Sequence, residues 1–370
     1  MKICDIALIN PQNKLKSKDF INYIDTASVN DGRLLKLQFL TSNYPSRAQR
    51  VVELNDILIS SVRPNLKHNY IVNIKKPNLI ASTGFIQIRC ISNKYLPKYI
   101  YYFLSSNKRI NLYSMIADSS QTTFPSFNKG IIENLNLEDI SINTQQHIVD
   151  TIGSVDDLIE KYEEIIIKLH KIIDDIFQQE TQILDNVKIA NLDYFNILKS
   201  GINKFNDTKI YLDTSTVIGN NITDESYTIS YNNRPSRANM QPKENSIWFA
   251  KLKDSPKYIL VKNQKRLINN FIFSTGFMGL QSEPYLINYL YSLILSTSFN
   301  MQKDLLSNGA TMQGINNEIF QEILVPNIEK NQAIIIGKEI ENYVNLICQL
   351  QEIIHCMKHI KELLLEKYFG

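Results

Sequence analysis

Several motifs that mark enzymes are missing from this chain of 370 residues. With only 12 glycines, it contains no Gly-x-Gly-x-x-Gly loop, and it lacks the Walker lysine of ATP-binding proteins. It also lacks the Asn-Pro-Pro-Tyr and Asp-Pro-Pro-Tyr elements of adenine methyltransferases and a convincing set of carboxylates for two-metal phosphodiester cleavage. The sequence therefore predicts a chain with no catalytic residues of its own.

Paired cysteines and long apolar runs are also absent from the sequence. Cys4, Cys90, Cys348 and Cys356 form no Cys-x-x-Cys pair, which fits a reducing compartment and argues against a zinc finger. No run of about 18 apolar residues occurs, and Asp5 stands where a signal peptide needs apolar side chains. We expect a cytoplasmic protein with no membrane partner.

What the sequence does contain is a long internal repeat. Three short segments occur twice, at residues 23–29 and 211–217, 45–48 and 235–238, and 82–85 and 274–277. Pro-Ser-Arg-Ala and Ser-Thr-Gly-Phe return unchanged, and the copies lie 188 to 192 residues apart. A repeat of this length predicts two equivalent domains that present two equivalent surfaces.

Each copy of the repeat is followed by a heptad-patterned helix. The first apolar seam consists of Ile152, Val155, Ile159, Tyr162, Ile166, Leu169, Ile173 and Ile176. The second consists of Ile340, Tyr343, Ile347, Leu350, Ile354, Met357 and Leu364. Since each seam needs a partner, we expect the two helices to pack against each other.

The blocks between the helices have the pattern of an α+β fold. Strands are predicted at residues 56–62, 85–89, 246–250 and 258–261, and helices at 97–107 and 286–297. The predicted organisation is a first domain at residues 1–143, a spacer helix at 144–180, a second domain at 181–326 and a second spacer helix at 327–370.

Positive charge is concentrated in the blocks. Residues 1–143 carry a net charge of +8 and residues 181–326 carry +2, whereas the helical segments 144–180 and 327–370 carry −6 and −1. This partition fits blocks that face a polyanion and helices that face protein, although surfaces that bind nothing also carry such an excess.

Two apparent chemical sites have simpler interpretations. Ser82 and Ser274 begin the repeated Ser-Thr-Gly-Phe, but no Gly-x-Ser-x-Gly elbow surrounds them, so we expect a core turn that uses the free φ of glycine. His355 and His359 have a metal-capable spacing, but the glutamate of a His-Glu-x-x-His motif is missing. We therefore expect no metal site.

The arrangement of block, helix, block and helix resembles the specificity subunit of type I restriction-modification systems. The segment Asn-Asp-Ile-Leu-Ile-Ser-Ser-Val-Arg-Pro at residues 55–64, Ala-Ser-Thr-Gly-Phe at 81–85 and Gln-Gln-His-Ile-Val at 145–149 strengthen this resemblance, which covers essentially the whole chain. It implies two target recognition domains, each of which reads one half of a split site on double-stranded DNA, and two antiparallel helices that space them.

The resemblance also implies partners and cofactors. Methyltransferase subunits, expected as two copies, would dock on the helices, and a translocating nuclease subunit would join for cleavage. S-adenosylmethionine, ATP and Mg would belong to those partner subunits, with no cofactor in this chain.

The second copy departs from the first at one expected contact. Ser-Ser-Val-Arg-Pro at residues 60–64 is replaced by Ala-Lys-Leu-Lys-Asp at 250–254, so the arginine and proline are not available there. Only part of the Gln-Gln-His start recurs at residues 330–334. The two domains are therefore not expected to share the same DNA chemistry.

A reader of split sites needs cations for phosphates and planar polar groups for base edges. In the first domain the candidates are Ser46, Arg47, Gln49, Arg50, Arg63, Asn65 and Lys67, with His68 beside them. In the second domain they are Arg234, Ser236, Arg237, Asn239, Lys251, Lys253 and Lys257. For Arg47 and Arg237 the alternatives are a DNA contact and a structural ion pair or capped turn, and loop amides often satisfy only the backbone.

A further pair of loops offers small polar groups. Residues 119–126 align with 308–314, and Gln121, Thr122, Thr311 and Gln313 are candidate contacts to DNA. The alternative for both loops is a plain turn before a strand.

The helices then act as a ruler, since about 50 Å of helix suffices to hold two domains one turn of DNA apart or somewhat more. The competing hypothesis is a protein-interaction scaffold with two peptide-binding domains and no DNA. A self-sufficient restriction or methylation enzyme is disfavoured by the missing motifs.

Overall fold

The computed structural model describes residues 1–12, 19–119, 125–223, 225, 227–309 and 313–370. The chain divides into two compact units, one of residues 1–160 with 356–370 and the other of residues 161–355. Among the described residues, no helix is both long enough and apolar enough to cross a membrane.

Among its described residues, the first unit contains ten strands, with one short helix before them and the other helices after them. Its strands are β1 Ala7–Ile9, β2 Ile21–Ile24, β3 Val29–Asn30, β4 Arg33–Leu34, β5 Gln38–Leu40, β6 Ala48–Val51, β7 Ile57–Ser60, β8 Asn69–Ile71, β9 Leu79–Ser82 and β10 Phe85–Cys90. Its helices are α1 Ile3–Ile6, α2 Pro97–Ser105, α3 Asn107–Asp118, α4 Lys129–Glu133 and the first half of α5 Ile142–Thr181.

The second unit repeats this order of elements. Its strands are β11 Asn186–Lys188, β12 Asn196–Ile197, β13 Lys209–Leu212, β14 Val217–Ile218, β15 Asn221–Ile222, β16 Thr228–Ile229, β17 Ala238–Met240, β18 Ser246–Ala250, β19 Tyr258–Val261, β20 Phe271–Ser274, β21 Phe277–Gln281 and β22 Leu324–Pro326. Its helices are α6 Lys265–Asn270, α7 Leu286–Leu295, α8 Thr297–Leu306, α9 Asn317–Gln321, α10 Lys330–Glu339 and most of α11 Glu341–Phe369, whose end belongs to the first unit.

The sheets of the two units have the same topology. The order β1-β10-β7-β8 in the first unit corresponds to β12-β21-β18-β19 in the second, and β5-β2-β9-β6 corresponds to β16-β13-β20-β17. In each unit the second of these sheets contains one parallel pair, β2 with β9 or β13 with β20. Both units also carry a register shift at the same place, between Ala48 and Arg50 and between Ala238 and Met240. The duplication read from the sequence is therefore a duplication of the fold.

Strand β7 shows how the first core is built. Ile57 and Ile59 pack into a cluster with α2, α3 and the spacer helices, while Leu58 points the other way into a cluster with β9. Because successive side chains of a strand point to opposite faces, one strand serves both layers. All three side chains are fully buried.

In the second core a tryptophan and a glycine take the place of a leucine and a glutamine that face each other in the first core. Trp248 of β18 is fully buried and lies opposite Gly279 of β21, where β7 and β10 pair Leu58 with Gln87. A Cβ on Gly279 would lie 2.6 Å from the indole ring. Glycine is therefore required at this position because the ring occupies the space of a side chain.

In each unit the two long helices run antiparallel. In the first unit, Ile152 near the start of α5 shares a cluster with Leu365 near the end of α11, and Lys361 Nζ lies 2.9 Å from Asp156 Oδ1. In the second unit, Gln332 of α10 donates to Glu180 Oε2 at the end of α5, at 3.3 Å. The predicted packing of the spacer helices is confirmed.

The predicted seams agree only in part with the buried residues. Ile152, Ile159, Ile166, Leu169, Ile173, Ile340, Ile347, Leu350 and Ile354 are buried. The other predicted positions are only half-buried: Val155, Tyr162, Ile176, Tyr343, Met357 and Leu364. Phe177, Val344, Lys361 and Leu365 are buried instead. A straight α-helix drifts relative to a strict heptad repeat. The buried face therefore departs from the predicted seam, because each helix packs against a domain as well as against the other helix.

The sequence predicted one continuous helix for the second spacer, and this prediction was wrong. The second spacer is interrupted at Ile340, between α10 and α11. The Asn288 side-chain amide of α7 donates to the Gly337 carbonyl at 2.9 Å, and that carbonyl would otherwise serve residue 341. A Cβ on Gly337 would overlap the Tyr285 carbonyl oxygen, so α10 packs closely on the start of α7.

Candidate nucleic-acid interface

Four segments meet at one place in the first domain. The Thr83 amide donates to the Arg47 carbonyl (2.9 Å), and the Ser61 amide donates to the Gly84 carbonyl (2.9 Å). The Phe127 amide donates to the Ser61 carbonyl at 3.1 Å, and the Arg63 amide donates to the Pro125 carbonyl at 3.0 Å. We call this meeting point the first junction, made of residues 46–47, 61–63, 82–84 and 125–127.

The second domain repeats these four hydrogen bonds. Thr275 donates to Arg237 (2.8 Å) and Lys251 donates to Gly276 (3.0 Å), backbone to backbone. In the same way Ile315 donates to Lys251, and Lys253 to Gln313, both at 3.0 Å. The second junction therefore consists of residues 236–237, 251–253, 274–276 and 313–315.

The repeated Ser-Thr-Gly lies at the centre of each junction. The hydroxyl oxygens of the buried Ser82 and Ser274 accept from the amides of Gly84 and Gly276, at 3.1 and 3.2 Å. The predicted reason for the glycine was wrong, since neither Gly84 nor Gly276 has a positive φ. A Cβ on Gly84 would instead lie 3.0 Å from Thr26 Cγ2, so glycine is needed for the close approach of a neighbouring loop.

The two equivalent arginines are exposed at the junctions. Arg47 and Arg237 follow the same Pro-Ser pair, and their carbonyls anchor the Ser-Thr-Gly turn. Neither side chain forms an ion pair with any residue that the structure describes, which removes that part of the structural alternative. Arg89 differs, since it donates to both carboxylate oxygens of Asp56 at 2.7 and 2.8 Å.

A cation follows the central strand at each junction. Arg63 and Lys253 make equivalent backbone hydrogen bonds and are both exposed. The arginine that the second copy lacks is thus replaced by a lysine at the same place. Arg63 adopts a left-handed conformation with φ of 48°, directly before Pro64, so the first domain turns more sharply here.

The residues before β8 and β19 also correspond. His68 and Lys257 precede strands that pair in the same way with β7 and β18. Burial lowers the pKa of His68, and the Asp25 charge partly opposes this. Burial likewise lowers the pKa of Lys257, with Asp213 opposing, and its Nζ donates to the Thr214 carbonyl at 2.7 Å. Sequence reasoning missed Asp25 and Asp213, although both lie in the repeated segment that includes Asp-Thr.

Some predicted contact residues are engaged within their own unit. Lys67 forms an ion pair with Glu362 at 3.1 Å, and Arg234 stacks on the Tyr231 ring, 4.3 Å from its centroid. Arg234 also donates to the Tyr231 carbonyl. These two cations fit the structural alternative better than a DNA contact, since their heads are held by other side chains or by the chain itself.

The remaining candidates differ in exposure. Ser46, Gln49, Asn65, Ser236 and Gln313 are exposed, whereas Arg50, Asn239 and Lys251 are half-buried. Gln49 donates to the Ser46 carbonyl at 2.6 Å, so its amide is partly used by the loop. Gln121, Thr122 and Thr311 lie outside the described residues.

A cavity of about 290 Å³ opens beside the second junction. Arg237, Lys251, Gly276, Asn308 and Gly314 are among its lining residues. Burial, and secondarily the Arg237 charge, lowers the pKa of Lys251. The described part of the chain contains no cluster of three or more His, Cys, Asp or Glu residues suited to a metal ion.

Comparison with known proteins identifies the first half of the chain. The family model for the type I restriction modification DNA specificity domain matches residues 1–171. The specificity subunit of the type I restriction enzyme HindI from Haemophilus influenzae is 31% identical over 166 residues. Residues 1–171, less than half of the chain, are therefore similar to the type I specificity domain. The match to the HindI subunit spans 43% of this chain and 36% of the length of that relative.

Two solved structures extend the comparison to the whole chain. A type I system S subunit from M. genitalium is 15% identical with a TM-score of 0.51, covering 100% of this chain and 95% of its own. The HsdS subunit from Thermoanaerobacter tengcongensis is 14% identical with a TM-score of 0.42 over the same shares. At this level of identity the M. genitalium structure bears on the fold alone, and it supports two mixed domains with long helices.

The family match includes the first junction but not the second. Residues 1–171 contain all four segments of the first junction and much of α5. The second junction is related to the first by the repeat, the sheet order and the four hydrogen bonds. The second half of the chain is therefore related in fold to the half that the family model matches.

Proposed function

We propose that the chain is the DNA-recognition component of a type I restriction-modification complex and performs no catalysis itself. Each domain reads one half of a split site on double-stranded DNA through its junction. The domain bounds of 1–143 and 181–326 are part of this proposal. The observation that carries it is the pair of junctions, in which the same hydrogen-bonded scaffold presents exposed cations and differing polar side chains.

The chemistry of the junctions suits DNA. Arg47, Arg63, Arg237 and Lys253 are exposed cations on loops that the Ser-Thr-Gly turns hold in place. Lysine and arginine contacts to phosphates fix the position of a protein on the duplex, whereas loop amides and guanidinium groups can read base edges. Rigid backbone with variable side chains is the arrangement that sequence-specific recognition requires.

The spacer helices supply the ruler in this proposal. Helix α5 has 40 residues, which corresponds to about 60 Å of helix. Their acidic surface and exposed apolar side chains suit docking of methyltransferase subunits, expected as two copies, and a nuclease subunit completes the complex. These partners would bring S-adenosylmethionine, ATP and Mg. Lengthening or shortening both helices should change the tolerated gap between the half-sites and leave each half-site sequence unchanged.

A salt titration tests the proposal. DNA affinity of the full chain with its methyltransferase partner is measured by fluorescence anisotropy at several salt concentrations. Because each phosphate contact releases counterions, the affinity should fall steeply as salt rises. The variant with both Arg47→Ala and Arg237→Ala should show a slope smaller by about two. An affinity that does not respond to salt would instead favour the protein-interaction scaffold.

A further inference from the structure

The second junction holds a cation that the first junction lacks. Lys251 and Ser61 occupy the same position, since each donates its amide to the glycine carbonyl of the Ser-Thr-Gly turn. The lysine is only half-buried, and its side chain lines the 290 Å³ cavity beside that turn. The first domain has a short hydroxyl side chain at the corresponding place.

The guanidinium of Arg237 lies close to the same turn. Its Nη2 is 2.9 Å from where a Cβ of Gly276 would be, whereas no atom of Arg47 lies within 4 Å of the corresponding point on Gly84. Two cations therefore line one cavity in the second domain. Burial, and secondarily the neighbouring Arg237 charge, lowers the pKa of Lys251.

The nearest acid is already engaged. Asp213 accepts from the Ser215 amide (3.0 Å), the Ser215 hydroxyl (2.9 Å) and the Tyr211 hydroxyl (3.1 Å). Its charge acts on Arg237 and Lys257. Asp213 thus acts on two of the three cations Arg237, Lys251 and Lys257, and Arg237 and Lys251 both line the open cavity.

The cavity also requires small residues around it. A Cβ on Gly314 would lie 2.9 Å from the Lys251 carbonyl oxygen, so the loop at 313–315 can approach only with glycine at this position. Asn308, whose amide donates to the Gly314 carbonyl at 3.2 Å, adds a polar side chain to the wall. The cationic and polar part of the lining is completed by the apolar residues Leu252, Ile315 and Ile319.

We propose that this cavity, between Arg237 and Lys251, binds one phosphate group of the DNA backbone, and that the first domain has no equivalent site. The inference rests on the proposed function and adds to it an asymmetry between the half-sites. Paired cations that exceed their carboxylate partners favour a compact anion, and phosphate oxygens accept hydrogen bonds from both guanidinium and ammonium groups.

The test uses the full chain with its methyltransferase partner, and DNA duplexes that carry one neutral methylphosphonate at successive backbone positions. For the wild type, one position in the half-site read by the second domain should weaken binding more than its neighbours. Lys251→Ser, which installs the residue of the first domain, should weaken binding of unmodified DNA and reduce the salt slope by about one. In this variant the methylphosphonate at that position should cause a smaller loss than in the wild type, because only Arg237 still contacts the phosphate.

Lys243→Ser is the matched control, because Lys243 is exposed and precedes the opposite end of strand β18. It should leave the salt slope and the methylphosphonate pattern unchanged. The inference would be overturned if Lys251→Ser and the methylphosphonate weakened binding independently, or if Lys251→Ser kept the wild-type salt slope. The scan of the wild type requires no variant, so a folding defect in Lys251→Ser does not remove the test.

An experiment with inorganic phosphate distinguishes a DNA phosphate from a free anion as the group that binds in the cavity. At constant ionic strength, replacing chloride by phosphate should weaken DNA binding more for the wild type than for Lys251→Ser. If phosphate raises the melting temperature of the wild type only, while the methylphosphonate scan shows no coupled position, the cavity serves a free anion and the DNA assignment is wrong. If no DNA binds to any form of the protein, the proposed function fails, and the effect of phosphate on melting still tests the cavity.

Discussion

At the first junction Arg47 and Arg63 lie on either side of Ser61, whereas at the second Arg237 and Lys253 lie on either side of Lys251. In both junctions these residues lie on segments that are joined by four equivalent backbone hydrogen bonds. The net charge of the blocks runs the opposite way, with +8 on residues 1–143 and +2 on residues 181–326. Net charge therefore does not locate the densest cationic site, because position on the scaffold decides which cations act together.

The units also differ in how each holds its part of the spacer helices. In the first unit Lys361 of α11 is buried, 2.9 Å from Asp156 and 3.7 Å from Asp31, and Tyr102 donates to Asp156 at 2.8 Å. In the second unit His170 of α5 forms a hydrogen bond with Tyr291 at 2.6 Å. The second unit also has ion pairs to the spacer, such as Lys262 with Glu341 of α11 at 3.6 Å, so it combines ionic and neutral contacts.

The largest expected effect concerns the two cores. Gly279→Gln installs the residue that faces Leu58 in the first unit, but the Trp248 ring occupies the required space. We expect a loss of about 4 kcal/mol in unfolding free energy, from overpacking and a buried amide without a partner. Adding Trp248→Leu should recover more than about 1 kcal/mol of that loss, since the two sites are coupled.

Urea denaturation of the two single variants and the double variant measures this coupling. The matched control is Trp248→Leu alone, which leaves Gly279 in place and creates a cavity. If the losses of the two single variants simply add in the double variant, Trp248 and Gly279 are not a coupled pair in the second core.

The next largest effect concerns the ion pairs of the first unit. Lys361→Met keeps the length of the side chain and removes the charge, so Asp156 and Asp31 lose their shared partner. We expect a loss of about 3 kcal/mol in unfolding free energy, because an acid near a buried cation is left unpaired. Hydrogen exchange should report the loss in residues 1–160 and 356–370.

Lys367→Met serves as its control, since Lys367 is an exposed lysine on the same helix. Equal losses for the two variants would show that the charge of the helix end matters, and not the specific pairing of Lys361.

A smaller effect sharpens the comparison of the junctions on DNA. Arg47→Ala should weaken DNA binding by about 1–3 kcal/mol and relax the sequence at one half-site if Arg47 reads a base edge, and weaken all sequences equally if it holds a phosphate. Arg237→Ala, which removes a proposed phosphate contact, should weaken all sequences equally. Competition between duplexes that vary in one half-site distinguishes the two roles.

For both arginine variants, Arg89→Ala is unsuitable as a control because Arg89 is held by Asp56 and Glu53. Lys204→Ala, an exposed lysine outside the second junction, is better matched. A loss of affinity with Lys204→Ala equal to that with Arg237→Ala would mean that general charge accounts for the binding.

The smallest predicted effect is a pH dependence of the second unit. Burial lowers the pKa of His170 to about 4 from its ordinary 6.5. Since the unfolded chain binds a proton first, stability is fully present above pH 6.5 and decreases as the pH falls toward about 4. In the first unit the charges of Asp31 and Asp156 outweigh burial and raise the pKa of Lys361. The lysine therefore stays charged throughout this pH range.

His170→Gln keeps a hydrogen-bonding group near Tyr291 and removes the titration. Hydrogen exchange of residues 161–355 between pH 7 and pH 4.5 should show a smaller pH dependence for the variant than for the wild type. Identical pH dependence in the two proteins would contradict the assignment to His170.

The sequence predicted much of this fold because its strands and helices are locally consistent. Strands β18 and β19 and the start of α7 lie where the alternation and the apolar spacing indicated. The α+β class, the duplication and the antiparallel spacer helices are confirmed as well. Such patterns depend on neighbouring residues, which a sequence displays directly.

Other features depend on tertiary contacts and could not be predicted. The interruption at Ile340 follows from an amide of α7 that takes the Gly337 carbonyl. Lys361 is buried because two acids from elsewhere in the first unit approach it. At the junctions, the repeat indicated Arg47 and Arg237 and the replacement of Ser61 by Lys251, but only the strand pairing shows that Lys257 replaces His68.

An exchange of domains tests the central claim most directly. Residues 1–143 are replaced by the corresponding block of a relative that recognises a different site, and the chimera is produced with its methyltransferase partner. Sequencing of the methylated sites should show one altered half-site, with the other half-site and the gap unchanged. If both half-sites change, or neither does, the two junctions do not read DNA independently.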